Sequence, residues 1–154
     1  LPPGVEVRPA QPEHYRQVWD AMDEAFRDHW GYSEQSETAY ESWLHERSFQ
    51  PELWQVAWDG DQVVGTVLGY IDENANQQAG RLRGWTEEIT VRRPWRGKGV
   101  AKALIARCLT ALKQRGMSEA ALGVDTQNLS GALRLYERMG YRPVERNTAY
   151  RKAF

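Results

Sequence analysis

The residues best placed to do chemistry gather around Arg96-Gly97-Lys98-Gly99. This stretch stands between a β-rich run, Trp85 to Val91, and a helical stripe of Val100, Ala101, Leu104, Ile105, Cys108, Leu109 and Leu112. Glycines at a strand-to-helix junction let the backbone approach a ligand, because no Cβ intervenes. The first amides of the helix have no partner inside it and lie at the positive end of its dipole. Arg96 and Lys98 add charge at the same mouth, so the junction suits a phosphate or diphosphate. Taken alone it suits a plain tight connection equally well. It is not a Walker A loop, since no earlier glycine stands at the required distance and no Ser or Thr follows the lysine. It also lacks the glycines and the later acidic residue of a dinucleotide fingerprint.

Just upstream stand two adjacent carboxylates, Glu87 and Glu88. Neighbours on a strand point to opposite faces, so one of the pair is expected to face a site beside the strand and the other to face away. His14, His29 and His45 are scattered singly, and Cys108 falls on the apolar helical stripe, where it reads as a small core residue. No metal-ligand spacing exists, and no metal is expected. No Ser-His-Asp arrangement and no activated nucleophile presents itself.

Arg96-Gly97-Lys98-Gly99-Val100-Ala101 resembles the R/Q-x-x-G-x-G/A loop of the GNAT superfamily of acyl-CoA-dependent N-acetyltransferases, and Ile89 to Trp95 resembles its strand-and-turn lead-in. Asn128 to Tyr141 resembles the second signature of that family, N-x-x-A-x-x-L-Y-x-x-x-G-F, with Tyr141 where Phe is usual. Two ordered motifs are far more specific than either alone. The turn from Gly123 to Asn128 is also similar to that of mycothiol-synthase-like acetyltransferases, which are tandem GNAT proteins.

The resemblance implies an α/β (α+β) GNAT fold: a mixed, mostly antiparallel sheet of six to seven strands, its parallel fourth and fifth strands splayed, flanked by about four helices. It implies acetyl-CoA as acyl donor, with the diphosphate on the amides of Arg96, Gly97, Lys98, Gly99, Val100 and Ala101. The pantetheine arm would lie along Ile89, Thr90 and Val91, with Asn128 as a polar contact. Acetyl transfer to a primary amine needs orientation, a base for the ammonium proton and a proton for the leaving thiolate. The family pattern favours Glu87 over Glu88 as base, since Glu87 shares parity with Ile89 and Val91, and implies Tyr136 as acid. Tyr136 also occupies an apolar helical position, which a core role would explain. His29, Trp30 and Tyr32, between the first two helices, are implied substrate contacts; a loop packed by its own aromatics explains them equally. A GNAT domain that holds CoA without turnover, in a structural or sensing role, is the alternative function.

The elements that must position these groups are legible in turn. Val5 to Arg8 reads as a strand; helices are expected over Glu13 to His29 and Ser36 to Arg47. Leu53 to Trp58 and Val63 to Ile71 flank Asp59-Gly60, a hairpin signal. Asp72 to Gly80, polar with two Asn and two Gln, reads as a loop. Ala120 to Val124 reads as a strand, Leu129 to Met139 as a helix, and two short strands close the chain. One domain, residues 1–154, is the natural count. The opening Leu-Pro-Pro-Gly looks like a linker, consistent with one half of a tandem protein or with a partner GNAT domain or homodimer. Net charge is −1, with the charges interspersed, so no nucleic-acid or membrane partner is expected. A single cysteine and no long apolar run fit a cytoplasmic protein, and the resemblance implies a small-molecule or peptide amine as acceptor.

Overall fold

The computed structural model describes residues 1–27, 36–123, 131–145 and 149–154. Among these residues seven strands form one sheet: β1 (Val5–Val7), β2 (Trp54–Asp59), β3 (Gln62–Ile71), β4 (Arg83–Val91), β5 (Glu119–Gly123), β6 (Arg142–Glu145) and β7 (Ala149–Ala153). Their order is β1-β2-β3-β4-β5-β7-β6. Every neighbouring pair is antiparallel except β4 and β5, which are parallel.

Among the described residues five α-helices accompany the sheet: α1 (Tyr15–Phe26), α2 (Glu37–Trp43), α3 (Glu73–Ala79), α4 (Val100–Gln114) and α5 (Gly131–Arg138). Two of them run shorter than their apolar patterns predict. A 3-10 turn at Pro12–His14 precedes α1, and α2 ends at Trp43. The stretch expected to be a loop, Asp72 to Gly80, is instead the helix α3. Asp72 caps it by accepting a hydrogen bond from the Ala75 amide, and Gly80 ends it in the left-handed region at φ 65°. Its composition hid it, because a helix of polar residues and two alanines has no large apolar stripe to show. Its caps were the readable signal.

The sheet has a core on each side. On one, Val100, Leu104, Ile105, Cys108 and Leu112 of α4 pack on Val64 and Val67 of β3 and on Ala120 and Leu122 of β5, with Tyr136 and Tyr141 closing the cluster. Gly69 and Gly84 let α4 lie this close: a Cβ would sit 2.7 Å from Cys108 Sγ at Gly69 and 2.6 Å from Leu112 Cδ2 at Gly84. On the other side, Val18 and Met22 of α1 and Trp43 of α2 cover Trp54, Val56, Trp58, Val63 and Leu68. Trp43 stacks on Trp54 with centroids 5.4 Å apart, and Phe49 meets both rings edge-on. Much of the aromatic excess is therefore packing. Among the described residues no helix is long and apolar enough to cross a membrane.

Candidate active site between β4, β5 and the α4 loop

β4 and β5 pair over three positions only: Arg83 with Glu119, Gly84 with Ala120 and Trp85 with Ala121. A buried ion pair fastens their start, Arg83 to Glu119 at 3.3 Å, with Arg151 3.5 Å from the same carboxylate. Asn76 of α3 bonds both the Arg83 amide and its carbonyl. Beyond Trp85 the ladder stops, and side chains span the gap. Thr86 Oγ1 donates to the Ala121 carbonyl, and the Gly123 amide donates to the Glu87 carboxylate at 2.9 Å. A strand whose outer edge is unpaired is a place where an extended ligand can add.

The carboxylates do not obey simple alternation. Leu68 pairs with Glu87 but Thr66 pairs with Thr90, so Glu88 and Ile89 together oppose Val67 in a β-bulge. Glu88 takes φ 49°, the one positive value among non-glycine residues described. As a result Glu87 shares the face of its partner Leu68, in the α1-side core, and Glu88 lines a cavity on that same side. The expectation that the pair points to opposite faces, so that only one can look into a site, is overturned. So is the parity argument, because Ile89 and Val91 pack on the α4 side. Thr90 is buried, its hydroxyl 2.7 Å from that of Thr66, which also donates to the Glu88 carbonyl.

Burial, first, raises the Glu87 carboxyl to about 7; the Gly123 amide works against this and the Glu88 charge adds to it. Glu88 is raised as well, by burial and then by Glu46. Tyr136, 8% exposed, is pushed up to about 12 by burial and by the Glu87 charge. Among the described residues its hydroxyl has no hydrogen-bond partner, whereas the Tyr141 hydroxyl sits 2.8 Å from Thr86 Oγ1. Burial lifts the Cys108 thiol to about 12, as a core thiol and not a nucleophile would have it.

At the end of β4, Gly97 and Gly99 take φ 74° and 80°, and a Cβ on either would meet nothing within 4 Å. The space above them is open. The first helical bond is Ala103 N to the Gly99 carbonyl, which leaves the amides of Val100, Ala101 and Lys102 without helical partners. Gly97, Lys98 and Gly99 donate to no backbone carbonyl among the described residues. Arg96 differs from expectation. Its amide bonds the Arg93 carbonyl, and its guanidinium bonds the carbonyls of Val91 (2.7 Å) and Ala25 (3.1 Å). It braces the loop against β4 and the end of α1. The loop is further pinned by Arg92, which bonds Glu24 and the Val63 carbonyl, and by Trp95 Nε1 on Asp59.

The GNAT acetyltransferase family model matches residues 16–141, most of the chain. The chain belongs to this family. A mycothiol acetyltransferase from Thermobispora bispora is 30% identical over 156 residues, 99% of this chain and 51% of that protein. The crystal structure of a GCN5-related N-acetyltransferase from Sphaerobacter thermophilus matches with TM-score 0.75 and 34% identity, covering 99% of this chain and 45% of the other. A chain of the NatC complex bound to Gag peptide and CoA matches with TM-score 0.73 and 23% identity, covering 97% of this chain and 98% of the other. The chain spans about half the length of several curated relatives it matches.

The implied substrate contacts His29, Trp30 and Tyr32 and the motif residue Asn128 lie outside the described residues. In the second signature, Ala132, Leu135, Tyr136 and Gly140 keep the family spacing, while Asn128 stands one residue farther from Tyr136 than the pattern has it. Among the described residues no group of His, Cys, Asp and Glu is arranged to hold a metal ion. Tyr70 went unnoticed in the sequence. It pairs with Trp85 across the strands, its ring stacked 6.1 Å away, and it shares the face of Glu87. Only the strand register reveals it, and the register depends on the bulge.

Proposed function

We propose that this GNAT domain moves the acetyl group of acetyl-CoA to a primary amine by direct attack. The diphosphate is held by the amides from Gly97 to Ala101, with Lys98 adding charge and Arg96 bracing the loop from behind. The pantetheine arm adds to the unpaired edge of β4, along Ile89, Thr90 and Val91, as a further strand would. Held there, the thioester carbonyl faces the gap between β4 and β5.

Glu87 is the general base. It takes the ammonium proton, directly or through a water, so that the amine lone pair can attack the carbonyl carbon. Collapse of the tetrahedral adduct expels the thiolate. Tyr136, still protonated at neutral pH, supplies the proton to sulfur. The observation that carries this reading is the Glu87 carboxylate: poised near 7, gripped by Gly123 across the gap and electrostatically coupled to Tyr136. Such a value is what a base working at neutral pH requires. The names of the relatives, a mycothiol acetyltransferase and N-alpha-acetyltransferases, agree on acetyl transfer and differ in acceptor.

The test is a calorimetric titration with CoA followed by a thiol-release assay with acetyl-CoA and a panel of amines. Binding with amine-dependent release is expected. Absence of CoA binding overturns the reading, and binding without release from any amine converts it to a non-catalytic CoA-holding domain.

A further inference from the structure

Thr66, in the middle of β3, is fully buried, and its hydroxyl makes two hydrogen bonds to β4. It donates to the Glu88 carbonyl at 2.8 Å. A threonine has a single hydroxyl proton, so in the 2.7 Å contact with Thr90 Oγ1 the donor is Thr90. Thr90 is the cross-strand partner of Thr66 and is buried with it. Two hydroxyls thus run in series inside the sheet and end on one backbone carbonyl.

That carbonyl belongs to the residue most in need of a hold. Glu88 lies in the left-handed region at φ 49°, where a side chain crowds the backbone. A bulge whose first residue is left-handed ordinarily has glycine there, which bears no such penalty. This chain has glutamate, so the conformation must be maintained by its surroundings, and Thr66 grips the same residue. The turn at Glu88 also decides where its neighbour looks. In a regular strand residues two apart share a face. Glu87 and Ile89 do not: Glu87 pairs with Leu68 on the α1 side, and Ile89 packs on the α4 side. With the turn in place, the Glu87 carboxylate meets the Gly123 amide at 2.9 Å across the gap.

We infer that Thr66 is a positioning residue for the transfer: it holds the left-handed turn at Glu88 and thereby keeps the Glu87 carboxylate at the gap between β4 and β5. It acts through Glu88 and Glu87 and belongs to neither sequence motif. The inference rests on the acetyl-transfer reading above and adds a residue of β3 to it.

The test pairs two substitutions with a change at the turn itself. Thr66→Val keeps the side-chain shape without the hydroxyl, and Thr66→Ser keeps the hydroxyl. In the thiol-release assay with acetyl-CoA and the most active amine, Thr66→Val should lose at least tenfold in kcat and Thr66→Ser less than threefold. Glycine adopts the left-handed region freely, so in a Glu88→Gly background Thr66→Val should cost less than threefold. The same loss in both backgrounds, or none in the first, overturns the inference while leaving acetyl transfer standing. If no amine is acetylated, or Glu88→Gly is itself inactive, crystal structures of wild type and Thr66→Val decide the matter separately. A Glu88 φ that turns negative in the variant upholds the hold, and an unchanged left-handed Glu88 removes it. Should Thr66→Val not fold, a cooperative denaturant transition regained in Thr66→Val/Glu88→Gly upholds the inference, and its absence overturns it.

Discussion

Glu87 holds its carboxylate against the Gly123 amide and is otherwise desolvated by burial, and its behaviour with pH follows. The ordinary value of 4.5 becomes about 7 in the fold, so the ionised base is scarce in acid and abundant above neutrality. The acid limb of the kcat/KM profile should show an apparent midpoint near 7, and Glu87→Gln should abolish that limb while lowering kcat/KM by about 10²–10⁴-fold. Stability runs the other way. A carboxyl raised in the folded state favours folding fully below its unfolded value and loses that contribution as pH rises through 7. Chemical denaturation at pH 8 should therefore find Glu87→Gln more stable than wild type, by at most about 3 kcal/mol at 1.36 kcal/mol per pKa unit. A glutamine variant no more stable than wild type at pH 8 would argue against the desolvated carboxylate. Tyr136→Phe keeps the ring in its core position and removes the proton. Its kcat should fall more than tenfold with CoA affinity, measured by calorimetry, changed less than threefold. Equal losses in both would reduce Tyr136 to a packing residue.

Among the elements, the loop before α4 is held in shape by its neighbours and by two backbone conformations that side chains rarely adopt. Gly99→Ala would force a Cβ into the left-handed region and into the open space that the diphosphate is proposed to fill. CoA affinity should drop at least tenfold by calorimetry, while stability in a denaturant titration falls only by the backbone strain of about 1–2 kcal/mol. Most of this element could be read from the chain beforehand. The Arg-x-x-Gly-x-Ala spacing and the stripe from Val100 to Leu112 lie in consecutive residues, and local pattern is what sequence displays. Arg96 was misjudged because its partners, Val91 and Ala25, are fixed by how α1 packs against the end of β4. The face of Glu88 was misjudged for a related reason. A bulge is a mismatch between two strands, and a single strand carries no trace of it beyond the residue that bends.

Over the whole molecule, the parallel contact between β4 and β5 depends on one buried cluster far from the chemistry. Arg83 and Glu119 have side chains only 8% and 11% exposed. Removing one charge would strand the other, and Glu119→Gln should cost about 3–5 kcal/mol in a denaturant titration. A loss below 1 kcal/mol would mean that the packing of Gly84 and Ala120 suffices to join the strands. The mixed sheet with its parallel β4 and β5 and its flanking helices followed from the motifs, yet α3, which supplies Asn76 to this cluster, did not, since polar helices leave no hydrophobic signature. The extra residue in β4 has a consequence for how such chains can diverge. Substitutions between Trp85 and Thr90 alter chemistry one position at a time, but a one-residue deletion there would restore strict alternation and swing an acid toward the α4 side, into an apolar cluster. Across related chains, segment length at this point should be far less free to drift than residue identity.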